Sequence, residues 1–311
     1  MADGTAPDAS IVLFGDGRDW HGKSLLRAFK KRGLTPLLVP LDACGFSTET
    51  ASGLAIPGLG DRLPEGAFVR FVPGGTFEEV TLYLGVLHAL HEHGVVVWND
   101  ARAIERCVDK STTTFFLQRE GLPTPRTFTC VDALQAAAIA ARVLGEGQKL
   151  VQKPLFGAQG KGLRLIAALS DLAPPDEVSG VYYLQEFVPP AQAHHQDWRI
   201  FVCQGVVVAS MIRHGASWIT NIKQGARAKA AIASQELIDL AVRSTSCLGA
   251  DYAGVDIIQA EDGGFLVLEV NSMPAWNGLQ AVSRQNIADH LVGAFLDAAL
   301  AETRRKGQEG A

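Results

Sequence analysis

No apolar run in these 311 residues approaches the roughly 20 needed to cross a bilayer. The longest, Gly94 to Trp98 and Gly205 to Ser210, have the length of single strands, so no membrane partner is expected. The start of the chain carries Asp3 and Asp8 and lacks a basic region followed by an apolar core, which predicts no secretory signal and a cytoplasmic location. Cysteine is scarce: Cys44, Cys107, Cys130, Cys203 and Cys247 share no CxxC or other close spacing, which argues against a zinc site or a disulfide framework and predicts reduced, buried thiols. Nor is basic charge in excess. Lys and Arg number 28 against 33 Asp and Glu, for a net charge of −5, so nucleic acid is not an expected partner and small-molecule chemistry is. There is no GxSxG or Cys-His signature, no internal repeat, and no dinucleotide fingerprint after Ile11 to Phe14 that would support a dehydrogenase.

The chain does have ample apolar content, 47%, enough for two or three small domains. IVLF from Ile11, a helix from about Gly22 to Arg32 and PLLV near Pro36 read as a βαβ opening. FVRFV at Phe68 to Val72, a helix from Thr76 to His93 and VVVW at Val95 to Trp98 extend it into a small doubly wound α/β domain. After Asp109 come a helix to about Glu120 and an Ala-rich helix from about Val131 to Leu144. Strands then dominate: KLVQKP and LRLIA around a glycine loop, VYYLQEFV, then WRIFV and VVVASMI joined at Gln204-Gly205. A helix near Gln235 to Leu248 precedes a last strand pair, the final helix starts after Arg284, and the end of the chain reads as a frayed tail. The fold class is α/β with α+β character: residues 1–108 as an N-terminal domain, 109–190 as a lid subdomain and 191–311 as a C-terminal subdomain.

The most informative segment is YAGVDIIQAEDGGFLVLEVNSMP, Tyr252 to Pro274. Its two apolar runs flank a strong hairpin signal, and the register pairs Ala260 with Phe265 and Asp256 with Glu269. Asn271, two positions beyond Glu269, joins the same face. Two facing carboxylates in an apolar setting repel, and a divalent cation relieves them; oxygen-only ligands suit Mg2+ or Mn2+. A longer or bulged loop, with the acids at solvent or paired to Lys and Arg, is the structural alternative.

Lys153-Pro154-Leu155-Phe156-Gly157-Ala158-Gln159-Gly160-Lys161-Gly162 lies between strands with no helix after it, which excludes both Walker and Rossmann readings. Gly157, Gly160 and Gly162 still let backbone amides approach an anion, and the tip can close as a lid, with Lys153 at its entrance. As a bare motif it is more often a mobile turn. Gln185, Glu186, Phe187 and Val188 form a strand end suited to an adenine, or an ordinary buried strand. Asp197, Arg199 and Arg213 make a polar wall or surface ion pairs.

Taken in order, these residues resemble the ATP-grasp superfamily and, within it, the RimK-like amino-acid ligases that add glutamate to an acceptor. VWNDARAIERCVDKSTTTFFLQREGLPTP resembles the family's linker, KPLFGAQGKGLRL its glycine hairpin, LQEFV its adenine hinge and GVDIIQAEDGGFLVLEVNSMP its metal strands. The resemblance implies ATP as the cofactor and roles residue by residue: Lys110 and Lys153 at phosphates or purine, Glu186 and Phe187 at adenine and its neighbourhood, Asp197 at ribose. It implies Asp256, Glu269 and Asn271 as ligands of two Mg2+ or Mn2+ ions and Arg199 and Arg213 as cations at the transferred phosphoryl. RHGASWITNIKQGA departs from the family's more basic run, which leaves Thr220 and Asn221 without an assigned role. FVRFVPGGTFEEVTLYLGVLHALHEHGV further resembles ATP-grasp proteins of tetrahydromethanopterin- and methanofuran-linked one-carbon metabolism in methylotrophs. That implies a cofactor-precursor acceptor, glutamate as the amino acid, and Arg70, Lys223 and Arg227 as substrate contacts, each also readable as an ordinary surface charge. Other readings are a ligase for a different dipeptide or peptide terminus, and a non-catalytic ATP-binding subunit. A homo-oligomer is compatible with the sequence.

Overall fold

The computed structural model describes residues 8–157, 160–191 and 195–309. The chain opens with β1 (Asp8–Phe14), α1 (Trp20–Lys31) and β2 (Pro36–Val39), then a two-strand ribbon of β3 (Gly45–Phe46) and β4 (Leu54–Ala55). β5 (Gly66–Val69), α2 (Phe77–Glu92) and β6 (Val96–Trp98) complete a parallel sheet in the order β2-β1-β5-β6. β5 ends at Val69, before the expected Phe68–Val72 strand is finished, so Arg70 opens a loop toward Pro73-Gly74-Gly75. α3 (Ala101–Val108) and α4 (Lys110–Arg119) follow, each started by an aspartate cap: Asp100 accepts from Ala103 N–H at 2.7 Å and Asp109 from Ser111 N–H at 2.8 Å. Of these two only α4 was expected.

A second, antiparallel sheet comprises β7 (Thr127–Cys130), β8 (Leu150–Lys153), β9 (Arg164–Ile166) and β10 (Tyr182–Glu186), in the order β7-β10-β8-β9, with α5 (Ala133–Gly145) packed on it. A third, also antiparallel, holds β11 (His195–Cys203), β12 (Val206–Gly215), β13 (Arg227–Ala230), β14 (Tyr252–Gln259) and β15 (Phe265–Asn271), in the order β13-β12-β11-β14-β15. α6 (Gln235–Cys247) covers one face; α7 (Asn277–Val282) and α8 (Ile287–Glu309) end the chain. α8 continues through the segment expected to fray. No helix of the described residues is long and apolar enough to cross a membrane.

Strand alternation sorts the first sheet's side chains onto two faces. Val12 and Phe14 pack with Val86, Leu87 and Leu90 of α2, while Ile11 and Leu13 share a core with Leu291, Val292 and Phe295 of α8. Phe295 meets Phe68 edge-on at 5.4 Å, and Phe68 stacks on Tyr252 of β14 at 5.3 Å, so this core runs on into the third sheet. Asn99, fully buried after a cis peptide to Trp98, makes a further tie. Its amide donates to Tyr252 O (2.8 Å) and Ser272 O (2.6 Å), and its carbonyl accepts from Asp251 N–H (2.6 Å) and Tyr252 N–H (3.1 Å). One side chain therefore pins the ends of β14 and β15 to the first sheet.

Asp256 lies opposite Glu269, as the sequence predicts, but the path to that pairing differs. Phe265 pairs with Gln259 instead of Ala260, because Ala260 N–H and Gly263 N–H both close the turn, onto Gly264 O and Ala260 O. A bulge between Asp256/Ile257 and their partners then absorbs one extra residue of β15 at Leu268. Phe265 and Val267 consequently face α6, whereas Leu268 and Glu269 line the opposite side.

Candidate active site

Between the second and third sheets lies a cleft, open to solvent, with a cavity volume of about 160 Å³. It brings together Lys110, Lys153, Gly157, Gly160, Gln185, Glu186, Phe187, Val188, Asp197, Arg199, Arg213, Asp256, Glu269 and Asn271 from the residues singled out in the sequence. Gly162 packs instead on Pro154, and Gln159 lies outside the described residues. Arg70, Lys223 and Arg227 are not among the lining residues: Arg70 follows β5, Lys223 is exposed after β12, and Arg227 is exposed on β13 opposite His214.

The wall is a charge ladder written across strands. Arg213 of β12 pairs in register with Asp197 of β11, and Arg199 of β11 with Asp256 of β14. Each guanidinium grips its carboxylate through two bonds, Arg213 to Asp197 with Nε–Oδ1 at 2.7 Å and Arg199 to Asp256 with Nη2–Oδ2 at 2.7 Å. Arg213 Nη2 also reaches Asp256 Oδ2 at 3.0 Å. Burial works to raise the Asp256 pKa, but Arg199 and Arg213 outweigh it and hold the carboxyl below its ordinary value. These four groups are nearly inaccessible and mutually neutralised, so they form a rigid frame more than a set of free ligands. Asp197, expected at ribose, spends its oxygens on Arg213. Gly254 permits this packing, since a Cβ there would lie 2.8 Å from Pro274 Cβ and 3.0 Å from Arg199 Nη1.

Glu269 differs from Asp256. It is half-buried and, among the described residues, has no hydrogen-bond or ion-pair partner. Asn271 makes only a 3.5 Å contact from Nδ2 to Gly254 O, which leaves its oxygen open. Across the cleft, Lys153 Nζ donates to Gln185 Oε1 at 2.5 Å, and Gln185 is fixed in turn by Thr127 Oγ1 and Tyr183 OH. Burial drives the Lys153 pKa down to about 8, against the pull of Glu269 and with a further push from Lys110. Lys110, first residue of α4, donates to Gly157 O (3.0 Å) and Leu155 O (3.3 Å), anchoring the base of the glycine hairpin. The free oxygens of Glu269 and Asn271 fit an oxygen-seeking cation, and the buried Lys110 and half-buried Lys153 fit a polyphosphate. Asp256 would join as a ligand only with a shift of its two arginines.

At the far end, Glu186 N–H and Phe187 N–H are taken by Arg126 O and Lys149 O, and the Glu186 carboxylate by Arg126 at 2.9 Å. Val188, past the strand end, has no backbone partner among the described residues, which leaves its amide open toward the cleft. Phe187 and Trp218 meet edge-on at 6.1 Å, and Ile258 and Leu268 add an apolar floor. Sequence reasoning missed Trp218, Ile258, Leu268 and Lys161. Trp218 stands in a loop without periodicity, and Leu268 reaches the cleft only through the bulge. Thr220, Asn221 and His195 also line the cleft. Gly160 rests against the loop after β12: a Cβ there would sit 3.1 Å from Ile219 and 3.4 Å from Asn221, and its φ of +70° disfavours any side chain.

Comparison with known proteins bears on the family and the fold. The RimK-like ATP-grasp domain model matches residues 107–295, more than half of the chain. A tetrahydromethanopterin:alpha-L-glutamate ligase of Methanocaldococcus jannaschii is 37% identical over 208 residues, covering 64% of this chain and 70% of its own. The protein of the same name from Methanococcus maripaludis is 30% identical over 291 residues, covering 92% and 97% respectively. Among solved structures, the ATP-grasp ligase PsnB complexed with a phosphomimetic variant of its minimal precursor, Mg and ADP superposes with a TM-score of 0.72 at 23% identity, over 96% of this chain and 100% of PsnB. The chain belongs to the RimK-like ATP-grasp family of carbon-nitrogen ligases, whose chemistry draws on ATP and a divalent cation.

Proposed function

We propose that the protein joins L-glutamate to a carboxylate of a cofactor precursor of the tetrahydromethanopterin or methanofuran type, through an acyl phosphate. The observation that carries this reading is the extent of likeness to the Methanococcus maripaludis glutamate ligase. It includes the first sheet as well as the ATP-grasp region, at 92% of this chain. In the reaction, a carboxylate oxygen of the acceptor attacks the γ-phosphorus of ATP and ADP leaves. The glutamate amine then attacks the acyl carbon, losing a proton as inorganic phosphate departs. Lys153 and Lys110 bind the phosphate tail, Phe187 and Val188 the adenine, and the Asp197–Arg213–Asp256–Arg199 frame holds Arg213 at the reacting end. A preorganised donor of this kind contributes about 3 kcal/mol to oxyanion stabilisation. Glu269 and Asn271 would hold magnesium or manganese, with two ions expected, and Asp256 would join them on a shift of its arginines; the metal would supply charge neutralisation on the phosphates. The glycine hairpin, seated on residues 219–224, keeps water from the activated carboxylate.

The test is ADP release by purified protein with Mg-ATP, glutamate and candidate pterin or furan precursors, followed by product mass. One glutamyl unit gained per ADP is expected. Glu269→Gln keeps the side chain's shape, so its melting temperature should stay close to that of the wild type while turnover falls by about a hundredfold or more. Undiminished turnover in that variant at limiting magnesium removes Glu269 from the site.

A further inference from the structure

Among the described residues, three buried side-chain nitrogens lack a hydrogen-bond partner: Gln152 Nε2 in β8, and Arg70 Nε and Trp276 Nε1 in the crevice past the carboxyl ends of β1 and β5. These neighbouring parallel strands send their following helices, α1 and α2, to opposite faces of the sheet, which opens a crevice of the kind that receives ligands in such sheets. Arg70 sits there with its side chain 12% exposed. Its Nε has no partner, Nη1 is 3.4 Å from Met273 O, and Nη2 is 3.9 Å from Asp19. The guanidinium lies 5.1 Å from the centroid of Trp276, itself fully buried with an unpartnered Nε1.

The neighbouring groups are already committed. Asp19 caps α1 through Gly22 N–H at 2.6 Å and accepts from His21 Nδ1 at 3.1 Å. His21 Nε2 accepts from Trp276 N–H at 3.0 Å, so the ring is neutral, in keeping with a pKa lowered by burial and by Arg70. Arg70 thus keeps a five-donor fork, largely shielded from water, with one weak hydrogen bond and one distant ion pair. An oxyanion that completes these donors stabilises a guanidinium so placed. Around the crevice stand apolar rings in solvent: Trp20 at 42% exposure, Phe71 at 55% and Phe77 at 83%. Met273 follows the cleft-lining Asn271 by two residues, roughly 7 Å along an extended chain, so the two places lie within reach of one substrate.

We infer that Arg70 holds a non-reacting carboxylate of the acceptor and that Trp20 and Phe71 take the flat ring beside it. This rests on the proposed ligation but is tested by binding alone. Protein saturated with a non-hydrolysable ATP analogue and magnesium is titrated with pterin-6-carboxylate, with the uncharged 6-hydroxymethylpterin, with L-glutamate and with inorganic phosphate. The wild type is expected to bind the aromatic carboxylate at least ~10-fold more tightly than the uncharged ring. Arg70→Met should erase that preference, Arg70→Lys should keep part of it, and both should bind the ATP analogue as the wild type does. Absence of pterin-6-carboxylate binding to the wild type at millimolar concentration overturns the inference. So does equal binding by Arg70→Met, or dependence on Arg70 of glutamate or phosphate binding only. Should the methionine variant fail to fold, the wild-type preference and its reduction in Arg70→Lys decide. A protein that binds the ring carboxylate through Arg70 yet releases no ADP refutes the ligase reading and leaves this one standing.

Discussion

Lys153 is the residue from which pH dependence should arise. Its half-buried ammonium is pushed down by desolvation to a pKa of about 8 instead of 10.5. A polyphosphate prefers the charged amine, so ATP affinity is full below pH 8 and declines as pH rises through it, with proton uptake on binding in that range. Calorimetric titrations of ATP between about pH 6.5 and 9.5, in buffers of differing ionisation enthalpy, read both effects. Lys153→Arg, charged throughout, should bind with an affinity flat over that range. A flat profile for the wild type excludes Lys153 from the phosphate site. Asp256 and Glu269 show the complementary lesson: adjacent on the sheet and alike in charge, they differ because one is locked by two guanidinium groups and the other is not.

At the scale of elements, Asn99 is the joint between the first sheet and the strands that carry Glu269 and Asn271. Its four hydrogen bonds all end on backbone groups with little access to water. Asn99→Ala should therefore lower unfolding free energy by about 2–4 kcal/mol, read as a shift in urea midpoint at constant slope. A change within experimental error denies the joint its structural weight. Much of the architecture was legible beforehand, because long amphipathic helices and period-two strands carry strong local signals: α1, α2, α5, α6 and the hairpins at Gln204-Gly205 and Asp262-Gly263 fall where periodicity and turn residues put them. What escaped depends on tertiary context. α3 has only eight residues, although Asp100 offered a cap signal. β13 has a single partner strand and mostly exposed side chains. The bulge at Leu268 cannot be inferred from alternation, since it is alternation's failure; there the pairing of Asp256 with Glu269 was reached by counting through a turn that is in fact one residue different. Of the cleft, the charged members were legible from type and order, whereas Trp218 and Ile258 line it only because the loops and sheets converge.

For the whole molecule, the decisive contact is between the two ends of the chain. Phe295 of α8 touches Phe29, Phe68 and Trp98 at 5.4–6.2 Å between centroids, and a Cβ on Gly66 would come within 2.8 Å of its ring. Phe295→Ala is expected to cost about 3–5 kcal/mol despite its distance from the cleft, and to do so in one cooperative transition, since the same core includes Phe201 and Tyr252 of the third sheet. Differential scanning calorimetry in the presence and absence of ATP checks this; two separated transitions, with only the earlier shifted by the substitution, contradict it. The same contact sets an order of events at the ribosome. Translation proceeds at about 5–20 residues per second, so β1 emerges many seconds before the helix that roofs its Ile11 and Leu13. For that interval α1 alone, through Leu25 and Phe29, shields this side of the newborn sheet, and the remaining apolar surface stays open until α8 arrives to close it.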